Sequence, residues 1–393
     1  MENNKSSEEI EDDVVRESNK ARLSFAIDTR GDLIGSTIAI KEYSVKEEKF
    51  GKKTLYTICG SDSNGSFQIV RRYSEFFILR SVLVERWPGF YVPKIPSKQA
   101  LGNLDPAFIE KRKKLLELFL KKISNLEYIY QSNEFQSFIR NTSDYKALVK
   151  TFDHFEMTTA ENIVKTFPRF LRDEIPENID ERFTEAESIF KVALQALIEF
   201  QDQCKLCVES FDSFEVDLIA FIAEFREIGT VFTAKTSEAG NRESFFNPYV
   251  ILLDWVFAEI LDIESLIEAI ETRYKYYLVV TSLENKHESC KKSLTKIQSG
   301  KKSISQFFSK KSKEDMEQKT QNDIEILEKN IQVSKDCHKI MSLRLLNKEI
   351  PMFKTAKLET YKHIMKVFST ASIQELTILV QQTQSLEFFL ESS

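Results

Sequence analysis

Arg71 and Arg72 close a run of alternating apolar and polar residues, Gly65-Ser-Phe-Gln-Ile-Val, and Tyr73, Ser74 and Glu75 follow at once. The alternation predicts a half-buried strand, and the hydroxyl and carboxylate that follow suit the entrance of a helix. A guanidinium at such a junction offers phosphate a fixed two-pronged donor geometry that lysine lacks. Tyr73 adds a flat apolar face for a sugar-like ring. Lys98, just past a proline-stiffened stretch, could supply a point charge, and Arg112 a second guanidinium one turn into a later helix. Taken singly, each is the kind of charge that any solvated surface carries. Converging from a strand end, a loop and a helix, the four would make a pocket for a polyphosphorylated small ring.

Little else in the chain has the spacing that chemistry requires. His154, His287, His338 and His363 are scattered, each without a carboxylate or cysteine at ligand spacing. Cys204 and Cys207 form the single C-x-x-C among five cysteines, inside a helical pattern and with no second pair, so a zinc site is not expected. GSDSNGS lacks the lysine of a phosphate-cradling loop and reads as a hairpin turn. No serine sits in a G-x-S-x-G elbow. The chain is therefore expected to bind and not to catalyse, and no cofactor is implied. An odd cysteine count without a signal peptide predicts a reducing, cytosolic compartment.

Charge is segregated along the 393 residues, although the net formal charge is only −6. Residues 1–20 hold seven acids and three bases and read as a disordered acidic tail. Arg71 to Lys122 carries twelve bases and five acids, a net of +7. Asp173 to Glu271 carries 23 acids and six bases, a net of −17, and Thr272 to Lys313 reverses to eleven bases and two acids, +9. Two basic islands in an acidic chain point to anionic partners met at particular places. The most apolar window, Tyr249 to Ile270, is broken by Asp254, Glu259, Asp262, Glu264 and Glu268 and cannot span a bilayer, so membrane contact is expected to be peripheral.

The elements that must position these residues fall into two kinds. STIAIKEYSV, TLYTICGS and GSFQIVR, separated by FGKK and SDSNGS, predict a three-stranded antiparallel meander. A helix over 74–86, an extended stretch WPGFYVPKIPSKQ that its prolines keep from coiling, and a second helix from about Pro106 complete an α+β domain. Beyond Tyr145 breakers are few, and three long amphipathic helices are expected at about 178–228, 247–297 and 314–390. Helices of 45 to 50 residues would be rods of about 70 Å, and their apolar stripes suggest bundle packing against a second copy. Between the two regions, ENIVKTFPRFLR could form an interfacial amphipathic helix or pack between domains.

The order RRYSEF, PKIPSK, FIEKRKKLLELFL resembles the phox-homology (PX) domains of sorting nexins, over about residues 36–140. The resemblance implies that Arg72 grips the 3-phosphate of a phosphoinositide, that Tyr73 stacks under the inositol ring, and that Lys98 meets the 1-phosphate. Arg112 would hold the 4- and 5-hydroxyl side, and Arg71 would be structural. The loop QALGNLDPAF would offer Leu101 and Leu104 to the bilayer. The helical region, with Phe353, Lys357, Phe368 and Leu376 in its last segment, is similar to the BAR domains of sorting nexins, crescent-shaped dimers that bind curved membrane. In that likeness Lys291, Lys292, Lys296, Lys301 and Lys302 lie near a tip that faces lipid. The −17 stretch departs from a uniformly basic concave face.

The division expected is a tail over 1–30, a PX domain over 31–143, a linker over 144–177 and a BAR-type helical dimerisation domain over 178–393. The resemblance implies a sorting nexin on early endosomes that binds phosphatidylinositol 3-phosphate and forms tubules. Its partners would be a phosphoinositide-containing membrane, a homo- or heterodimeric second BAR chain and coat or cargo proteins, with no nucleic acid. A PX-bearing scaffold whose helical half binds proteins and bends nothing is the alternative.

Overall fold

A computed structural model describes residues 37–48, 51–98, 105–152, 156–233, 245–299 and 313–391. Strands β1 (Thr37–Glu48), β2 (Gly51–Asp62) and β3 (Gly65–Arg72) form an antiparallel sheet in that order, with a register shift between Ile40 and Glu42. Alternation sends Ile38, Ile40, Tyr56, Ile58, Phe67 and Ile69 into the core. The β2–β3 turn closes through Gly65 at φ 100°, a conformation that side chains resist, while Asp62 Oδ1 accepts the Asn64 N–H at 2.8 Å.

Helix α1 (Tyr73–Arg86) starts where β3 stops, because the Glu75 carboxylate accepts the Arg72 N–H at 3.0 Å. Helix α2 (Pro106–Ser124) starts on Asp105, which accepts the Phe108 N–H at 3.2 Å, with Pro106 in the first turn. Three short helices follow: α3 (Glu127–Tyr130), α4 (Asn133–Arg140) and α5 (Tyr145–Val149). Phe76, Leu79 and Leu83 of α1 meet Leu116, Phe119 and Leu120 of α2 and Phe135, Phe138 and Ile139 of α4 in one core.

Helix α6 (Glu156–Thr166) and the 3-10 turn Pro168–Leu171 bring Ile163 and Phe170 into that core, with Phe167 packed against it. Of the two roles open to ENIVKTFPRFLR, the structure shows packing: its apolar residues are occupied and do not face outward as an interfacial helix would need. The long helices are α7 (Ile179–Thr233), α8 (Tyr249–Gln298), α9 (Lys313–Arg344) and α10 (Ile350–Glu391). Where the sequence predicts one last helix, a π-helical turn over Leu345–Glu349 separates α9 from α10. Pro351 follows directly; it has no N–H to donate and its ring crowds the preceding turn, which a wider turn relieves.

The described residues divide into two compact units, one within 34–191 and 262–353, the other within 192–261 and 354–393. In the first, Trp87, Phe90 and Tyr128 share a core with Tyr276, Val280, Ile340 and Met341. Gly89, at φ 71°, lies where an added Cβ would come 3.0 Å from Met341 Sδ, so any other residue there is strained. In the second, Trp255 packs edge-on to Tyr361 at 5.2 Å and Tyr249 lies 5.4 Å from Phe368, with Lys357 paired to the buried Glu259.

Candidate anion-binding site

The two arginines at the end of β3 have opposite fates. Arg71 points inward and is 3% exposed. Its Nε donates to Phe138 O at 2.9 Å, its Nη atoms donate to Asn141 O and to Glu75 Oε1, and its guanidinium carbon lies 5.2 Å from the Phe138 ring. These donors tie the sheet to α1 and to the C-terminal end of α4, so Arg71 is structural. Arg72 points the other way, as the two-residue period of a strand requires. Its backbone is fixed by Glu75, and its guanidinium has no ion pair or hydrogen bond among the described residues.

Tyr73 and Arg112 come together. The Arg112 guanidinium carbon lies 4.4 Å from the centre of the Tyr73 ring and 4.3 Å from that of Phe108, a cation held between two aromatic faces. Arg112 is buried, yet among the described residues its Nε and Nη2 find no hydrogen-bond partner. Burial pushes the Tyr73 phenol above its ordinary range, with the Arg112 charge pulling the other way. The Tyr73 hydroxyl donates to Pro96 O at 2.6 Å, which fixes the proline loop against the end of the strand. Lys98 is exposed two residues beyond that anchor.

Leu101 and Leu104 lie outside the described residues, as do Lys301 and Lys302. Lys291, Lys292 and Lys296 are exposed on the last turns of α8. The first pairs with Glu328 at 3.3 Å and the second with Glu288 at 3.4 Å.

The sequence assigned the whole +7 island to an anionic partner, and the structure corrects this. Arg80, Lys94 and Lys122 are spoken for by the acidic stretch: Arg80 Nη2 is 2.6 Å from Glu268, Lys94 Nζ is 3.3 Å from Glu264, and Lys122 Nζ is 2.8 Å from Asp262. These acids belong to the −17 stretch that departs from a uniformly basic concave face. Sequence separations of 140 to 188 residues leave no local signal for such pairs. Phe108, the second aromatic face on Arg112, was not singled out from the sequence; its position four residues before Arg112 on one helix was the available clue. Among the described residues no group of histidine, cysteine and carboxylate side chains could hold a metal, and burial pushes the Cys204 thiol up to about 11.

A family model described as "PX domain" matches residues 60–142, from late β2 to the end of α4. The chain is similar to "Vacuolar protein sorting-associated protein vps5" of Schizosaccharomyces pombe, 31% identical over 100 residues, covering 25% of this chain and 17% of that protein. Sorting nexin-4 of Homo sapiens is 32% identical over 136 residues, 33% of this chain and 29% of that one. These matches thus span less than a third of either relative's length. A cryo-EM structure of the SNX-BAR Mvp1 tetramer aligns over 89% of this chain and 99% of that one, with a TM-score of 0.57 and 14% identity, a likeness of fold. Domain match and whole-chain fold together define a PX-domain protein with a BAR-type helical region. Residues 60–142 match the PX-domain model, and the chain as a whole shares the fold of a SNX-BAR protein.

Proposed function

We propose that this chain is a peripheral membrane protein that grips a phosphoinositide through Arg72, Tyr73, Lys98 and Arg112. As a BAR-type dimer it then senses or forms membrane tubules during endosomal sorting and recycling. The reading assigns lipid recognition to residues 31–143, the connecting role to 144–177 and dimerisation to 178–393, with the early endosome as the site of action. Leu101 and Leu104 would touch the bilayer beside the headgroup. Lys291, Lys292, Lys296, Lys301 and Lys302 would add nonspecific attraction for anionic lipid. Its action is binding throughout, with no catalytic step.

The observation that carries the reading is the state of the two guanidiniums. Arg72 is anchored by its backbone and has no side-chain partner among the described residues, and among those residues two nitrogens of buried Arg112 have no acceptor beside an aromatic face. Buried donors without acceptors are costly, and a phosphorylated ring on Tyr73 would supply what they lack. No helix among the described residues is long and apolar enough to cross a membrane, in keeping with attachment through the headgroup. One modest pocket per chain gains from being doubled, because two linked contacts on one membrane raise the effective concentration of the second.

The test is a vesicle panel on the full chain, each preparation carrying one phosphoinositide at equal total charge. Binding is expected to favour phosphatidylinositol 3-phosphate. Equal binding across the panel would contradict a shaped pocket and leave only charge.

A further inference from the structure

The proline loop of residues 87–98 lies outside any sheet or helix, and Pro93 and Pro96 have no N–H to donate. Five of its backbone groups are met by side chains from elsewhere. The Tyr91 N–H donates to Glu349 Oε2 at 3.0 Å, and Tyr91 O accepts from the Tyr128 hydroxyl at 2.8 Å. The Lys94 N–H donates to Ser265 Oγ at 2.8 Å, Pro93 O accepts from Arg80 Nε at 3.2 Å, and Pro96 O accepts from Tyr73 at 2.6 Å. Two of these partners, Ser265 and Glu349, belong to the helical region. A third, Arg80, is itself held by Glu268 at 2.6 Å, and Glu268 also lies 3.6 Å from Lys94 Nζ. Ser265 and Asp262 are 2% exposed, so this is packed structure and not a mobile surface contact.

We infer that Ser265 and Glu268 of α8 are positioning residues for headgroup recognition, acting through Arg80 and Lys94 to fix the loop that carries Lys98 in relation to Arg72 and Tyr73. The inference rests on the lipid-site reading above and adds that the pocket is completed by the helical region. A bidentate site depends on where its charges stand, and one free loop end would spread Lys98 over many positions. The acidic stretch then has a role in lipid binding although it touches no lipid.

Simple electrostatics and positioning give opposite signs, which makes the inference testable. Neutralising Glu268 removes a negative charge near the site and frees Arg80 and Lys94, so charge alone would tighten binding of an anionic headgroup. Positioning requires that it weaken. Titration calorimetry of the full chain with soluble inositol 1,3-bisphosphate would compare wild type, Ser265→Ala/Glu268→Gln, and Arg72→Ala, with amide exchange followed over residues 91–98. The double variant is expected to bind about 3- to 10-fold more weakly, the loss of one or two net hydrogen bonds, with faster exchange at Lys94. Glu268→Gln alone, on a side chain 32% exposed, leaves the packed helix undisturbed and should move affinity in the same direction. Unchanged or tighter binding by these variants, with Arg72→Ala still losing binding, would overturn the positioning role and leave the site standing. Equal binding by Arg72→Ala and wild type would overturn the site, and the inference with it.

Discussion

The two compact units treat their large apolar side chains in opposite ways. In residues 34–191 with 262–353, Tyr56, Phe76, Phe138 and Tyr145 are wholly buried, and the ionic groups between sheet domain and helices are paired. In residues 192–261 with 354–393, Val192, Leu206, Phe221, Met365 and Leu376 are each more than half exposed. A cavity of about 240 Å³ there is lined by Phe211, Phe214, Leu218, Tyr249, Leu376 and Leu379. Soluble chains rarely leave so much apolar surface uncovered. The first unit buries its largest aromatics within one chain, although Phe77, Tyr274, Ile326 and Met352 are also exposed; under the proposal above, the second presents the face that a second BAR chain would cover.

The largest expected effect comes from breaking that face. Phe214→Glu with Leu376→Glu places two carboxylates where a second copy must exclude water, which costs several kcal/mol and weakens association more than ~100-fold. Light scattering at micromolar concentration should read a dimer for wild type and a monomer for the variant. A monomeric wild type would contradict the BAR reading and favour a protein-binding scaffold.

Next comes the first unit. Arg344 lies 4.6 Å from the Phe167 ring and 4.7 Å from that of Tyr128, with its Nε 2.7 Å from Glu349, both side chains nearly buried. Arg344→Met should cost about 3–5 kcal/mol in urea unfolding, since it strands the Glu349 carboxylate. A change under ~1 kcal/mol would mean that the aromatic box stands without its cation.

His338 offers a smaller, pH-dependent effect in the same unit. Burial, with the Arg273 charge adding and Asp180 opposing, lowers its pKa to about 4. The folded state therefore holds the imidazole neutral, while the unfolded chain takes a proton below the ordinary value near 6.5. The stability this confers is complete above about pH 6.5 and lost as pH falls toward about 4, on the order of 2–3 kcal/mol in all. His338→Gln should flatten that part of the melting-temperature profile, and an unchanged slope would assign it to other groups.

The smallest effect concerns the end of α8. Lys296 is exposed and has no ion pair among the described residues, unlike Lys291 and Lys292. Lys296→Glu should weaken binding to anionic vesicles lacking phosphoinositide by about 1 kcal/mol at low salt, less as salt rises. Equal binding at low salt would make this end of the helix an ordinary solvated surface.

Much of the fold was legible because its signals are local. Alternation gave the strands, the SDSNGS stretch the turn, Pro106 the start of α2, and the scarcity of breakers the long helices. At the site, the strand period separates Arg71 from Arg72, and the order of three motifs carried the resemblance. What stayed hidden is what the fold alone assembles. Nothing near Lys94 announces Ser265, and nothing in Tyr73 announces the Pro96 carbonyl. The π-helical turn is a compromise between a helix and Pro351 that periodicity does not register. Charge totals misled for the same reason: a +7 island and a −17 stretch read as two properties, although part of each exists to neutralise the other.

The central claim is that a headgroup is recognised by geometry at the end of β3, and sedimentation of the full chain with vesicles tests it most directly. Wild type and Arg72→Ala would be compared on vesicles with phosphatidylinositol 3-phosphate and on vesicles of equal charge without it. Losing a charge-assisted contact from a formed pocket costs ~2–3 kcal/mol, so Arg72→Ala should bind the phosphoinositide vesicles at least ~30-fold more weakly. Its binding to the charge-matched vesicles should change little, because one exposed charge among many is worth ~1 kcal/mol or less. Equal pelleting of the two proteins with phosphatidylinositol 3-phosphate would contradict the claim.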